Sequence, residues 1–225
     1  MNILITSAGI RGYVINYFKE SLENNGKVFA ADSNKYAPAL YNADKGFLIP
    51  RADEKNYINS LIKICVENKI NGIVSLNDLE LPGLSQNKKR FLDNNIEIIV
   101  SDPEIIDICF DKYKTYKFLK RNGFPAARTY ISIEKVLENL EKKILKFPLI
   151  IKPRKGSASE GIKRVYNKKD LIETLEKSDD QIIQELFTGE EYGIDVFNDE
   201  NSKPVGIYIK KKIKMRAGET DKAVS

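Results

Sequence analysis

Short strand-like and helix-like segments alternate through the first hundred residues, and this alternation restricts the fold more than any other feature of the sequence. Apolar strand patterns occur at 2–6, 27–32, 72–76 and 96–100. Helices are predicted at 53–68 and 80–94, and the first of them has the i, i+3, i+4, i+7 spacing of an amphipathic helix in Ile58, Leu61, Ile62 and Cys65. This order predicts an α/β domain, in which a mostly parallel sheet carries helices on both faces.

The pattern changes near residue 111, where a second domain of the α+β type is predicted. A helix should end at Gly123, because Pro125 prevents its return. PLIIKP and IKRVY read as a strand and its returning partner, and three consecutive strands, taken as antiparallel, are predicted in QIIQELF, EEYGIDVF and PVGIYIKKKIK. We therefore expect domains at 1–110 and 111–225. The last strand pattern still continues near Ser225, so the second domain is expected to be incomplete.

Composition excludes several chemistries. The 225 residues contain no histidine, which rules out a histidine general base, a Ser–His–Asp triad and histidine-ligated zinc. Cys65 and Cys109 form no CxxC motif and are predicted to be reduced and buried. The sequence shows no signal peptide and no membrane-spanning apolar run, which predicts a cytoplasmic protein without a membrane partner. The net charge of +5 is mixed with many acids, and the basic run at 210–216 lacks stacked aromatics, so no nucleic-acid partner is expected.

The stretch PLIIKPRKGSASEGI places a lysine, Lys152, at the end of an apolar strand and a loop of small residues behind it. A lysine in this position is more often a surface residue whose stem covers apolar area. The loop favours a functional role, because small residues let backbone N–H groups approach an anion: Gly156, Ser157, Ala158, Ser159 and Gly161. Arg154 and Lys155 add charge, so the segment suits a triphosphate, although its lysine precedes the glycines, unlike GxxxxGK[ST].

Two further segments are ambiguous alone. In QIIQELFTGEEYGIDVF, a short crossover at Leu186 and Phe187 offers backbone groups to an adenine edge, and a carboxylate beyond it suits ribose hydroxyls. An ordinary hairpin with a charged turn explains the same residues. Lys112 in FDKYKTYKFL is one lysine among many on a basic helix.

Together, DK before a helix ending in GFP, PLIIKP with its glycine loop, and QELFTGEEYGIDV resemble the ATP-grasp superfamily. The likeness is closest to the carbamoyl-phosphate-synthase-like branch of carboxylate–amine ligases, which includes the pyrrolysine-pathway ligase. It covers essentially the whole chain. It implies a Rossmann-like preATP-grasp domain at 1–110 and the first part of an ATP-grasp domain at 111–225.

The resemblance also implies roles for individual residues. Lys112 is expected near the α- and β-phosphates, and Lys152 is expected to reach the phosphates and the purine. Residues 156–161, with Gly156, Ser157, Ser159 and Gly161, match the loop that closes over the triphosphate. The adenine hinge corresponds to Glu185, Leu186 and Phe187, and the ribose acid to Glu191. Basic residues facing the γ-phosphate or acyl phosphate correspond to Lys210, Lys212 and Arg216, and Arg216 joins Lys152 as a candidate catalytic residue.

The implied activity is ligation of a small-molecule carboxylate to a small-molecule amine. The carboxylate attacks the γ-phosphorus of MgATP, and the amine then displaces phosphate from the acyl phosphate. ATP and Mg²⁺ are the implied cofactors, and a homodimer is an open possibility because relatives are often dimers. The family's acidic and amide metal ligands are not found before Ser225, so we expect no metal ligand in this chain.

Two other functions stay open. The missing metal ligands suit a non-catalytic nucleotide-binding module. Gly9 and Gly12 after the first strand, with Asp32 after the second, suit an NAD-linked enzyme, although GxGxxG is absent. By analogy with the family, the substrate-facing residues of the first domain are Arg11, Asn77, Asp78 and Glu80, which are equally well explained as polar residues of turns and helix starts.

Overall fold

A computed structural model describes residues 1–156, 161–176, 180–216 and 219–225. The chain divides into two compact units, Met1–Phe110 (unit 1) and Asp111–Ser225 (unit 2). Each unit has its own sheets and its own apolar clusters.

Unit 1 is an α/β unit built on one parallel sheet. Its elements are β1 (Ile3–Thr6), α1 (Gly12–Leu22), β2 (Val28–Asp32), α2 (Pro38–Asn42), β3 (Lys45–Leu48), α3 (Tyr57–Glu67), β4 (Gly72–Ser75), α4 (Leu81–Gln86), α5 (Lys88–Leu92), β5 (Glu97–Ile99) and α6 (Pro103–Phe110). The strand order is β3–β2–β1–β4–β5, and every neighbouring pair is parallel.

The sheet of unit 1 is covered on both faces, as parallel sheets usually are. Leu4 belongs to one apolar cluster, which also contains Leu61 and Ile73. Its neighbours Ile3 and Ile5 belong to a second cluster. Successive residues of a strand point to opposite faces, so these two clusters lie on the two sides of the sheet. The prediction of a parallel sheet with helices on both faces is therefore confirmed.

Three expectations for unit 1 were incomplete or wrong. Strand β3 was not predicted, because its sequence KGFL is short and largely exposed at the edge of the sheet. The helix expected at 80–94 is interrupted at Asn87, whose side-chain amide donates to the carbonyl of Gly83 and ends α4. Cys65 is buried, but Cys109 is exposed, since it lies on a face of α6 outside the apolar clusters.

Unit 2 contains two antiparallel sheets. Its elements are α7 (Lys112–Arg121), β6 (Thr129–Tyr130), α8 (Ile133–Glu141), β7 (Leu149–Pro153), β8 (Lys163–Val165), α9 (Lys168–Leu175), β9 (Gln181–Glu185), β10 (Tyr192–Asn198), β11 (Pro204–Arg216) and β12 (Glu219–Val224). One sheet has the order β6–β9–β7–β8, and the other has the order β10–β11–β12. The expectation of three consecutive paired strands was wrong for the first pair, because β9 belongs to the four-stranded sheet and β10 to the three-stranded one.

The four-stranded sheet packs one face on α8 and α9. Leu149 and Ile151 of β7 belong to the apolar cluster between this sheet and the helices, together with Val136 of α8 and Leu171 of α9. The helix α7 ends at Arg121, close to the predicted stop at Gly123, which has a φ of +77°. Among the helices within the described ranges, none combines the length and the apolar character needed to cross a bilayer.

Candidate functional site

Lys152 lies on the face of β7 that points away from the apolar cluster. Its neighbour Ile151 is fully buried in that cluster, so alternation along the strand turns the lysine to the opposite face. The Lys152 Nζ donates to Gln184 Oε1 at 2.7 Å. The Gln184 Nε2 donates in turn to Thr129 Oγ1 at 2.8 Å. The ammonium group is therefore held over the sheet by an amide on the adjacent strand.

Lys112, the first residue of α7, reaches the start of the small-residue loop. Its Nζ donates to the carbonyl of Gly156 at 2.8 Å. Burial lowers the pKa of Lys112 below its usual value, although the charge of Asp111 opposes this effect. Burial and then the charge of Lys112 lower the pKa of Lys152. The positive charge of Lys112 therefore acts on Lys152, and an anion bound to both ammonium groups would relieve their repulsion.

The loop between β7 and β8 has glycine at both described ends. Gly156 has a φ of +110° and Gly161 has a φ of +69°, a region that L-residues rarely adopt. A Cβ at Gly161 would also lie 3.0 Å from the Pro153 Cγ. The backbone at both positions therefore requires glycine. Ser157 and Ser159, predicted to contact phosphate, lie outside the described residues.

The predicted adenine hinge follows the end of β9. Glu185 is the last residue of this strand, and its Oε1 lies 3.3 Å from Arg128 Nη1 in an ion pair. Leu186 and Phe187 continue the chain beyond the strand, and the Phe187 side chain is 68% exposed. The Glu185 carboxylate is thus already engaged, whereas the aromatic ring of the hinge is open to a ligand.

The basic residues of β11 are paired with acids across the three-stranded sheet. Glu191 accepts from Lys212 at 2.6 Å, and Asp195 accepts from Lys210 at 2.6 Å. These lysines and the predicted ribose acid therefore contact their partners within the sheet. Arg216 is the last residue of β11 and its backbone lies opposite Glu219, but its side chain is outside the described part of the structure.

Unit 1 has a buried carboxylate where its strand order reverses, between β1 and β4. Glu80 is 1% exposed and accepts from Thr6 Oγ1 at 2.5 Å, from Ser75 Oγ at 2.5 Å and from Ser7 Oγ. Beside it lies a cavity of about 380 Å³, whose polar lining includes Ser7, Ser33, Arg51, Asp53 and Asn77. Ligands of open α/β sheets bind at such reversal points. Glu80 also lines this cavity, although it is 1% exposed and its carboxylate joins the two strand ends through hydroxyl groups.

Other candidates of unit 1 contribute little to this cavity. Asp78 is exposed and does not line it, and Arg11 does not line it either. Asp32 accepts from the backbone N–H of Gly9 at 3.1 Å and from that of Asn34 at 2.8 Å. The aspartate that suggested a dinucleotide is thus used to fix the loops that follow β1 and β2.

A metal site does not form from the residues that the structure describes. Within these ranges, no three Cys, Asp or Glu side chains come together in a group that could hold a metal ion. The described donor groups therefore do not fit a Mg²⁺ site of their own.

Sequence reasoning gave no role to two polar residues near the lysines, Asp111 and Gln184, and it misread the role of a third, Arg154. Asp111 is 1% exposed and caps α7 by accepting from the backbone N–H groups of Tyr113 and Lys114. An aspartate directly before a helix is a recognisable capping signal. The partners of Arg154 and Gln184 lie 43 and 32 residues away along the chain, so no local pattern could have revealed them.

Comparison with known families agrees with this architecture. Residues 109–221, which are 113 of the 225 residues, match the family model of the ATP-grasp domain. Residues 3–99 match the PylC-like N-terminal domain. The chain therefore belongs to the ATP-grasp family, and the resemblance noted in the sequence is confirmed.

Curated relatives include two ligases. The chain is 28% identical over 161 residues to D-alanine–D-alanine ligase A of Bacillus cereus, covering 64% of this chain and 52% of that protein. It is 25% identical over 178 residues to phosphoribosylamine–glycine ligase of Fusobacterium nucleatum, covering 78% and 39%. The chain thus spans about half the length of these relatives, or less.

Solved structures share the fold. The biotin carboxylase domain dimer of the Hydrogenobacter thermophilus 2-oxoglutarate carboxylase, crystallised with MgADP, ADP and bicarbonate, superimposes with a TM-score of 0.74. The alignment covers 97% of this chain and 51% of that chain at 17% identity. At this identity the likeness establishes the fold alone.

Proposed function

We propose that the chain provides nucleotide-binding residues of an ATP-dependent carboxylate–amine ligase that works through an acyl phosphate. The observation that carries the proposal is that Lys112, 40 residues before Lys152 in the sequence, is hydrogen-bonded to the segment that directly follows Lys152. Its Nζ donates to the carbonyl of Gly156 at 2.8 Å, and its backbone N–H donates to the carbonyl of Arg154 at 3.0 Å. Two compact cations at one place suit the oxygens of a polyphosphate. The ligase names of the curated relatives and the nucleotide-bound structural neighbour support the same class of reaction.

In the proposed reaction a carboxylate oxygen attacks the γ-phosphorus of ATP, and ADP departs. The nitrogen of an amine then attacks the acyl carbon, and inorganic phosphate departs. Lys112 and Lys152 neutralise phosphate charge and orient the chain of phosphates, which is most of what a protein contributes to phosphoryl transfer. No side-chain nucleophile is required, which is compatible with a chain that lacks histidine.

The remaining residues take their roles from this assignment. Residues 1–110 form the preATP-grasp domain, and the cavity at the reversal point lies on the substrate side. Residues 111–225 carry the nucleotide site, with Gly156, Ser157, Ser159 and Gly161 over the phosphates, Glu185 to Phe187 along the adenine, and Glu191 at the ribose. Lys210, Lys212 and Arg216 approach the transferred phosphoryl group. The substrates are a small-molecule carboxylate and a small-molecule amine.

Calorimetric titration of ATP and ADP tests the proposal. A lost charge-assisted contact is worth about 1.5–3 kcal/mol, so Lys152→Ala and Lys112→Ala should each weaken binding by about 10- to 150-fold. Lys169→Ala on α9 is the matched control, because this lysine is 81% exposed and forms a surface ion pair with Glu173. Unchanged affinity in Lys152→Ala would contradict the assignment.

Parallel measurements separate the alternatives. Binding of NADH without binding of ATP would favour the NAD-linked enzyme. Nucleotide binding without phosphate release, across a panel of amino-acid pairs, would favour the non-catalytic module.

A further inference from the structure

A side-chain ion pair joins the start of α7 to the end of β7. The Arg154 Nε lies 2.9 Å from Asp111 Oδ1 and 2.8 Å from Oδ2, and the Arg154 Nη2 lies 2.7 Å from Oδ2. The Asp111 carboxylate is 1% exposed and the Arg154 side chain 27%. Arginine pairs of this geometry are more directional than lysine pairs.

Hydrogen bonds of the backbone also join the start of α7 to the end of β7. Lys112 N–H donates to the carbonyl of Arg154 at 3.0 Å. Asp111 also accepts from Tyr113 N–H at 2.9 Å and from Lys114 N–H at 3.1 Å. Arg154, two positions after Lys152, is therefore joined to Asp111 through the side chains and to Lys112 through the backbone.

Arg154 is held on its other sides as well. Its backbone N–H donates to the carbonyl of Asp180 at 3.0 Å, and its Nη1 lies 3.7 Å from the Asp180 carboxylate. Its guanidinium carbon lies 5.9 Å from the centroid of the Tyr113 ring. The guanidinium is thus committed within unit 2, which corrects the expectation that it adds charge toward a triphosphate.

The geometry points to Asp111 and Arg154 as positioning residues, which hold the backbones of Lys112 and Lys152 in place relative to each other so that both ammonium groups can contact one polyphosphate. This inference rests on the proposed function. Without the ion pair, two cations that repel each other would have to be brought together when the nucleotide binds. A prearranged pair removes that cost from binding.

Nucleotide titrations of Asp111→Asn test the inference. Asparagine is as good a helix cap as aspartate, so this variant removes the charge of the pair and keeps the cap. We expect ADP to bind about tenfold more weakly. Adenosine, which lacks phosphates, should lose less affinity than ADP, because the lysine pair contacts mainly the phosphates. Asp102→Asn, which removes the exposed Lys88–Asp102 pair of unit 1, is the matched control and should leave ADP binding unchanged.

A double-mutant cycle separates positioning from general damage to the fold. If Asp111 acts through Lys112, then Asp111→Asn should have little further effect on ADP affinity once Lys112→Ala is present. Additive losses in the cycle, equal weakening of ADP and adenosine, or wild-type ADP affinity in Asp111→Asn would each overturn the inference. In those outcomes Lys152→Ala still weakens ADP binding, so the proposed function stands. Failure of the unaltered chain to bind ADP would instead overturn both.

Discussion

The five-stranded sheet of unit 1 and the three-stranded sheet of unit 2 differ in how far their apolar side chains are buried. In unit 1, Ile5 and Ile73 are completely buried. In the three-stranded sheet, Ile194 and Ile209 lie opposite each other in register and are 62% and 57% exposed. The same residue type therefore contributes to a core in one sheet and to an open face in the other. An apolar alternating pattern specifies a strand, but it does not specify what covers that strand.

The largest expected effect on stability comes from shortening a buried isoleucine of unit 1. Ile73→Ala should lower the free energy of unfolding by about 2–5 kcal/mol, because it leaves a cavity in a fully packed cluster. Ile209→Ala removes the same atoms from an exposed face. This substitution should change the free energy of unfolding by no more than about 0.5 kcal/mol. Urea unfolding, with amide hydrogen exchange in β1 and β11 as local probes, measures both.

A decrease of more than about 2 kcal/mol in the free energy of unfolding of Ile209→Ala would contradict this difference between the two sheets. It would mean that the face of Ile194 and Ile209 is packed against something in solution.

An intermediate effect is expected in acid and only in unit 2. Burial alone would raise the pKa of Asp111, but hydrogen bonds from Arg154 and from backbone N–H groups, with the guanidinium charge, outweigh it and lower the pKa. A carboxyl group with a lowered pKa contributes stability that is complete above its unfolded pKa, near 3.8, and is lost as pH falls through the folded value.

Asp111→Asn should therefore destabilise unit 2 near neutral pH by about 1–3 kcal/mol, less than a wholly buried pair because Arg154 is partly exposed. The difference between variant and wild type should shrink toward pH 2. Amide exchange in β7 follows unit 2, and exchange in β1, which should not change, is the internal control. A difference that stays constant across the acid range would show that the ion pair is not its source.

The smallest effect is expected at the surface of the three-stranded sheet. Asp195→Asn removes the partner of Lys210 in an exposed ion pair, and such pairs contribute about 0.2–1 kcal/mol. Thermal unfolding should shift by about 4 °C at most, and 0.5 M salt should remove the difference. A larger shift that persists in salt would show that this face is shielded from solvent.

The parallel sheet could be predicted because four of its strands, β1, β2, β4 and β5, are rich in apolar residues. Strand β3 could not, since an edge strand is paired on one side only and needs few apolar residues. The separation of β9 from β10 was also hidden, because strand patterns describe single segments and not their partners. Non-local pairing is what distinguishes these failures from the successes.

The residues of the candidate site were likewise predictable from the sequence only in part. Lys152 and its glycine loop were visible in one continuous stretch, and the structure places Lys112 beside them. Arg154 was visible as well, but its role was misread, because its carboxylate partner lies 43 residues earlier in the chain. A charged residue in a sequence carries no sign of whether its charge is free or already matched.

The densest cationic stretch of the chain, KKKIKMR, contributes little net charge to the electrostatic field at long range, because its lysines are paired with acids. Four of its lysines lie within 4 Å of carboxylates: Lys210, Lys211, Lys212 and Lys214. Lys211 points to the opposite side of β11 from Lys210 and Lys212, because neighbours on a strand alternate. Beyond a Debye length of about 8 Å, each lysine with its acid therefore acts as a small dipole and not as a net positive charge.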